Sequence, residues 1–454
     1  MFKKALSLPV IAALTLAAAG CSSGGGSTAN APASGSAGST TSAPAASTDA
    51  GKAGASGAAA AKTKLVFWDK SEYVKEYNEL QKERVAQFSK EFNVDVEYVA
   101  IPPADLKTKL LAAIEAGNPP DLLLADDFVA KQFVGNKQLV EISDILKKYD
   151  FREDSKKYAY ALEGWYEIPV YHNPNVMYVR KDKLEEKKLD PPKTWDDIKK
   201  VAQAINDPKN NFYGLGFQLG GGGDSEGRIS DLIRTYGTDL VDKDGKVTVN
   251  TPEALEAIKM DASFFTEKLV PASAVTGDDS WNNTAYLAGT VGIVFNSSSI
   301  YAAMRNDKPD LLQKTLILPW PAGPKRQFGS GGGTVFVMFS KGKNLDNAKK
   351  YIDYFFNKDF YGKLIEKLNG LAVPVLNGYE NTEFWQRPEN KGWFEASKNI
   401  VPLGDPGPPD ARASQVVSEN VLSKAVQSIV VNKVDPQKAL DAIEQGYKKV
   451  YEKK

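Results

Sequence analysis

The sequence predicts an α/β fold, with mainly parallel strands covered by helices. Two observations lead there. Between Lys64 and Leu124, short apolar runs alternate with segments of helical periodicity, the pattern of parallel strands joined by crossover helices. The composition, 42% hydrophobic and 25% charged over 454 residues, is a globular balance with room for two or three domains.

The first 62 residues stand apart from that pattern. Lys3 and Lys4 precede an almost wholly apolar run, Ala5 to Ala19. It is too short for a comfortable transmembrane helix and fits the core of a signal peptide. The run ends in Leu16-Ala-Ala-Ala-Gly20-Cys21, which resembles a bacterial lipobox with Ala18 where Leu is usual. Residues 1–20 are therefore expected to be a lipoprotein signal peptide and Cys21 the lipidated residue. From Ser22 to Lys62 there is no aromatic residue and no Leu, Ile or Val. Such a segment buries too little apolar surface to offset the entropy of ordering. It is expected to be a loose tether spanning roughly 35 Å.

The folded part opens at Lys64. Lys64-Leu-Val-Phe-Trp68 reads as a buried strand. Tyr73, Tyr77, Leu80, Val85, Phe88 and Phe92 recur at near-helical spacing, and Val94, Val96 and Tyr98 alternate as in a strand. Leu106, Leu110 and Ile114 give a second helix, stopped by Gly117-Asn-Pro-Pro120, and Asp121 to Leu124 gives a third strand. Further on, Thr194 with Asp197 forms a capping-box pattern for a helix through Ile198, Val201 and Ile205. Asp435-Pro436 opens a helix carrying Leu440, Ile443, Tyr447 and Val450 on one face. Gly220–Gly223, Gly331–Gly333 and Pro406–Pro409 are breaks, and the absence of any repeat of 20–50 residues argues against a solenoid.

Charge and cysteine count narrow the function. Fifty-seven basic residues balance fifty-seven acidic ones, which gives no general attraction to nucleic acid. One cysteine cannot form an internal disulfide, and with a single histidine no Cys/His zinc site can be built. No cofactor and no metal are expected. Ser-His-Asp chemistry would have to use His172, and a lone histidine is more often structural.

Several stretches, in order, resemble the family-1 extracellular solute-binding proteins, the group containing maltodextrin and multiple-sugar binders. Lys64 to Asp69 resembles the family's opening strand, and Ala116 to Leu124 its Gly-Asn-Pro-Pro-Asp turn. Ile168-Pro-Val170 with Val176 to Asp182 resembles its crossing segment, with Arg180 where Asn is usual. Pro191 to Ile198, Tyr286 to Val294, Leu318-Pro319 through Gly331 to Thr334, and Ala439-Leu440 follow in the family's order. The resemblance implies a two-lobed, periplasmic-binding-protein-like fold joined by a multi-crossing hinge. Lobe 1 would be 63–171 plus 330–372, and lobe 2 would be 174–328 plus 375–454. The ligand would be a carbohydrate, bound in the cleft between the lobes. The partners implied are the permease subunits of an ABC importer and the bilayer, reached through the lipid on Cys21, with the protein a monomer.

A sugar presents C–H faces and many hydroxyls, so a cleft for it calls for aromatic rings, carboxylates and amides. In α/β sheets ligands bind at the carboxyl ends of strands. That rule points to Trp68-Asp69-Lys70 and to Asp126 and Asp127. Trp68 and Asp69 read as a stacking ring and a hydroxyl partner, or else as core and helix cap. At the place of Asp126 and Asp127 the family puts an acid that holds sugar hydroxyls; an N-cap is the alternative. Trp165 and Tyr166 precede the first crossing, and Tyr171-His172-Asn173 lies at it, which nominates Trp165, Tyr166 and His172. Asp224, Glu226 and Arg228 follow four glycines that let backbone approach a ligand. Tyr301 and Arg412 are nominated by position in the family, and Gly332 as a backbone donor or hinge. Trp281, Trp320, Trp385 and Trp393 form an aromatic reserve, the last two in an insertion-like loop. Two other functions compete. A glycoside hydrolase would need carboxylates roughly 5–9.5 Å apart across a bond, which Asp126/Asp127 or Asp224/Glu226 do not supply by spacing alone. A binder of polyols, peptides or anions would need different cleft groups, with convergent Arg for an anion.

Overall fold

The structure, a computed structural model, describes residues 64–452 except Tyr73, Leu162 and residues 369–371. Cys21, the signal segment and the tether lie outside the described residues. The described residues belong to one unit that begins at Ala60.

The opening run forms β1 (Lys64–Lys70), α1 (Lys75–Phe92), β2 (Asp95–Ile101), α2 (Pro103–Glu115), β3 (Leu122–Asp126) and α3 (Asp127–Val134). Strand β1 pairs in parallel with both β2 and β3. Strand β3 is apolar on both faces because both faces are covered, whereas β2, at the sheet edge, alternates exposed and half-buried residues. Phe67, Leu122 and Leu124 pack with Phe336 and Tyr351, while Leu123 and Ala125 pack with Leu106, Leu110 and Phe133. Gly117, at φ +73°, follows the last turn of α2 in the left-handed region that glycine favours.

Seven further strands complete two sheets: β4 (Ile168–Pro174), β5 (Val176–Arg180), β6 (Tyr213–Leu215), β7 (Val291–Asn296), β8 (Thr315–Leu318), β9 (Gly331–Met338) and β10 (Val373–Pro374). One sheet runs β10-β4-β9-β3-β1-β2 and the other β8-β5-β7-β6. The two-lobed α/β layout is the one expected. The sheets themselves are mixed rather than mainly parallel. Strand β9 is antiparallel to β3 and β4, β10 is antiparallel to β4, and β5 is antiparallel to β7 and β8.

A single residue, Asn175, separates β4 in one sheet from β5 in the other. Its backbone N–H donates to the Ser330 carbonyl at 2.9 Å, which ties the outgoing strand to the incoming one. Gly331 begins β9 at this point. A Cβ there would lie 2.9 Å from Pro174 Cα and 2.8 Å from Ile400, so the close approach demands glycine.

Trp385 and Trp393 lie in helices, Glu383–Gln386 and Pro388–Ser397, and not in a loop as expected. Both are buried. The Pro388–Ser397 helix packs on strands of both sheets. Its Gly392 backbone lies so near the Ile317 carbonyl that no side chain fits between. Trp393 is fully buried, 6.1 Å from the rings of both Tyr178 and Tyr301. One apolar cluster therefore runs beneath both sheets. In helix Trp195–Ile205 the capping box forms: Thr194 Oγ1 accepts from Asp197 N–H and Asp197 accepts from Thr194 N–H, each at 3.1 Å.

Two substitutions separate these contributions. Thr194→Ala should lower stability by about 1 kcal/mol, the usual worth of a cap, and Trp393→Ala by about 3–5 kcal/mol. Urea unfolding followed by circular dichroism measures both. A loss at Trp393 no larger than at Thr194 would refute the shared core.

Candidate functional site

A cavity of about 1180 Å³ opens where the strand ends of the two sheets meet. Its lining comes from the carboxyl ends of β1 and β3, the start of β9, helix Gly223–Thr235, the Ser297–Ser299 turn, loop Val401–Asp405 and the last helix. Four nominated residues line it: Asp126, Asp127, Glu226 and Gly332.

The charges on the β1–β3 side hold one another. Lys70 is ion-paired with Asp126 and, at 2.7 Å, with Glu72. The Tyr171 hydroxyl donates to Glu72 at 2.5 Å. Burial opposes the charge on Lys70, and Asp126 and Glu72 outweigh it, so the ammonium is held above its usual range. Burial pushes the Asp126 carboxyl up, against the pull of Lys70. One layer behind, Asp127 accepts the Gly333 N–H at 3.3 Å and faces Lys131 at 3.5 Å. Lys131 also pairs with Glu167 at 3.3 Å. Burial pushes Glu167 up to about 7, and Lys131 offsets only part of that. On the opposite side Asp231 accepts a hydrogen bond from the Ser330 hydroxyl and is raised by burial to about 6.

The other nominated residues point elsewhere. Trp68 packs, half-buried, on the apolar cluster of α2 and α3, and Tyr166 joins it. Asp69 is buried beside the core, where it accepts the Tyr98 hydroxyl at 2.7 Å, and burial raises it to about 7. Trp165 sits in a short hairpin, its indole N–H donating to the Lys156 carbonyl at 3.2 Å. His172 is buried, with Nε2 2.8 Å from Ser155 Oγ. Burial holds it well below the usual histidine range, so it is neutral. It does not line the cavity. Asp224 accepts from Asn282 at 3.0 Å, and Arg228 is buried against Asp261 with its guanidinium 4.9 Å from the Phe217 ring. Tyr301 is core, and Arg412 pairs with Asp410 at 2.7 Å over the Tyr451 ring. Glu226 lines the cavity, but both its oxygens are engaged: they accept Leu422 N–H at 3.1 Å and Ser423 N–H at 2.7 Å, capping helix Val421–Asn432.

These displacements have a simple geometry. Along β4 side chains alternate, so Tyr171 and Asn173 face the cavity and His172 faces away. On helix Gly223–Thr235 the lining positions are Gly223, Glu226, Gly227, Ser230, Asp231 and Arg234. That is one helical stripe, and Asp224 and Arg228 fall on the other face. Tyr171, Asn173, Lys70, Asp231 and Arg234 were each within reach of the sequence reading as members of a strand or a stripe. What was missing was the phase. None of the seven tryptophans lines the cavity; among the described residues its rings are Tyr171, Tyr447 and Tyr451. Among the described residues no group of three or more His, Cys, Asp or Glu is placed to hold a metal ion, and no helix is long and apolar enough to cross a membrane.

Comparison with known proteins gives a consistent picture. The sequence profile of the bacterial extracellular solute-binding proteins matches residues 68–360. A protein of Brucella abortus (strain 2308), designated a binding protein without a stated ligand, is 26% identical over 366 residues, 76% of this chain and 83% of that protein. An arabinooligosaccharide-binding protein of Halalkalibacterium halodurans is 25% identical over 354 residues, 72% of this chain and 73% of that protein. The sugar-binding protein MalE of Xanthomonas citri superposes with a TM-score of 0.73 over 86% of this chain and 98% of that one. At 16% identity it is the fold that is shared.

The buried acids make stability depend on pH. Asp69 ordinarily ionises near 3.8, and in the folded chain it keeps its proton to about 7. Between those values the native state binds more protons than the unfolded one, so stability falls as pH rises. Asp69→Asn retains an acceptor for Tyr98 and cannot ionise. It should shrink the stability loss between pH 5 and pH 8 by about 2 kcal/mol, measured by urea unfolding at both values. An unchanged loss would mean that Asp69 is ionised in the folded protein.

Proposed function

Because the chain belongs to the bacterial extracellular solute-binding protein family, we propose that it captures an oligosaccharide in the cavity between its two sheets and delivers it to an ABC importer. Membership gives the coarser part directly. The protein is an extracytoplasmic solute-binding protein, in a family of binding proteins that work with ABC-transporter permeases, and relatives named for maltotriose and arabinooligosaccharide binding support a sugar as the solute.

The observation that carries the finer reading is the chemistry of the cavity wall. Carboxylates, asparagine amides, serine hydroxyls and the glycine backbone of Gly331–Gly333 face one space, the donor and acceptor set that sugar hydroxyls need. Its volume, about 1180 Å³, exceeds the roughly 300–1,000 Å³ of ordinary small-molecule sites, which favours several sugar units over one. The arabinooligosaccharide-binding relative points the same way. A hydrolytic role has less support. Asp126 is ion-paired, Asp127 faces a lysine, and Glu226 is a helix cap.

In this reading 63–171 plus 330–372 and 174–328 plus 375–454 move as two lobes about the strands that meet at Asn175 and Gly331. Ligand that touches both lobes favours the closed state by its differential affinity for it. The lipid on Cys21 and the tether to Lys62 keep the monomer beside its permease.

Titration calorimetry against arabino-, malto-, xylo- and galacto-oligosaccharides tests the proposal. Saturable binding without turnover is expected for at least one series. Asp126→Ala should weaken it by about 1–3 kcal/mol, whereas Trp165→Phe, away from the cavity, should leave it unchanged. Absence of saturable binding, or cleavage of the glycan, would overturn the reading.

A further inference from the structure

Part of the cavity wall is largely apolar. Leu240, Val241, Leu403 and Val417 line it together with Tyr447 and Tyr451. They come from separate stretches: the segment after helix Gly223–Thr235, loop Val401–Asp405, and helices Ala411–Ser418 and Pro436–Tyr451. Tyr447 and Tyr451 lie nearly parallel, 7° apart with centroids at 6.1 Å, and both are buried, which leaves little of either ring to stack on a sugar. Leu403 differs from its neighbours in being 44% exposed while lining the cavity. Aliphatic side chains set against sugar hydroxyls would desolvate them without compensation. Arg234, which also lines the cavity, is engaged by Asp405 at 3.0 Å, so this region does not call for an anionic group.

We propose that the ligand is amphipathic: a glycoside whose sugar portion is held by the polar wall and whose aglycone is an aliphatic chain lying on Leu403 and Val417. The inference rests on the carbohydrate reading and narrows it. The continuity of the two walls within one cavity makes a single ligand the occupant of both, and the volume leaves room for sugar and chain together. Removal of the chain's methylenes from water supplies affinity that a free oligosaccharide would lack.

The test compares matched methyl and n-hexyl glycosides of glucose, galactose, xylose, arabinose and maltose, by calorimetry on the folded protein. For at least one sugar the hexyl glycoside should bind about tenfold or more tightly than the methyl glycoside, or be the only one of the pair to bind. Leu403→Ser should cut that ratio to below about threefold. Val431→Ser, 55% exposed on helix Val421–Asn432 and outside the cavity, should leave it unchanged and controls for non-specific adsorption. Equal binding of methyl and hexyl glycosides by the wild-type protein overturns the proposal and leaves the carbohydrate reading standing. A hexyl preference that survives Leu403→Ser, or falls equally in Val431→Ser, also overturns it. If no glycoside of either set binds while free oligosaccharides do, the amphipathic ligand is wrong. If neither binds, the carbohydrate reading fails with it.

Discussion

The close antiparallel pairing of Ile168–Pro174 with Gly331–Met338 is the constraint on which the rest of the molecule depends. Here the chain leaves one sheet for the other and returns, with one residue, Asn175, between strands of different sheets. The two backbones approach so closely that Gly331 has no room for a side chain. Because one strand ends and the other begins at the crossing, the Asn173 side chain and the Gly332 backbone there line the cavity. The cavity is thus a by-product of how the chain passes between two sheets, and its position follows from the connectivity.

The crossing would be a weak joint if the sheets had only separate cores. Each has one of its own, and a third apolar cluster joins them. Helix Pro388–Ser397 lies across strands of both sheets, and Trp393 fills the space between Tyr178 and Tyr301. Large aromatic side chains carry much of any core's apolar area, and here they are used for that purpose. Trp195 and Trp320 are likewise buried, against Phe295. The expectation that tryptophans would stack on ligand gives way because the packing demand is met first. The cavity is left with tyrosines, acids, amides and aliphatic side chains.

Charge at the cavity wall and just behind it is arranged in ion-paired groups. Lys70 sits between Glu72 and Asp126, and Lys131 between Asp127 and Glu167. Buried charges persist only when paired, and each group here has more carboxylate than ammonium. In the second group burial raises Glu167 to about 7, which favours its neutral form and offsets the surplus there. A surface built this way is polar but presents no strong net field, which suits a neutral, hydroxylated ligand better than an ion.

The amino-acid sequence by itself determined most local elements, and its family resemblance the two-lobed layout, but not the mixed character of the sheets. Buried strands appeared as two-sided apolar runs from Lys64 and Leu122, the Thr194–Asp197 box marked a helix start, and Gly331–Gly333 marked the crossing. It also placed Asp126 and Asp127 at a strand end, where the cavity is. Only the tertiary structure decided which face of each element looks into that cavity. A strand alternates and a helix turns whatever lies beside it, so pattern alone leaves His172 and Tyr171, or Arg228 and Asp231, equally eligible. The choice is made by packing against partners far away in sequence: Asp261 for Arg228, Ser330 for Asp231, and Tyr98 for Asp69. Those pairings span up to 99 residues, beyond the reach of any local periodicity.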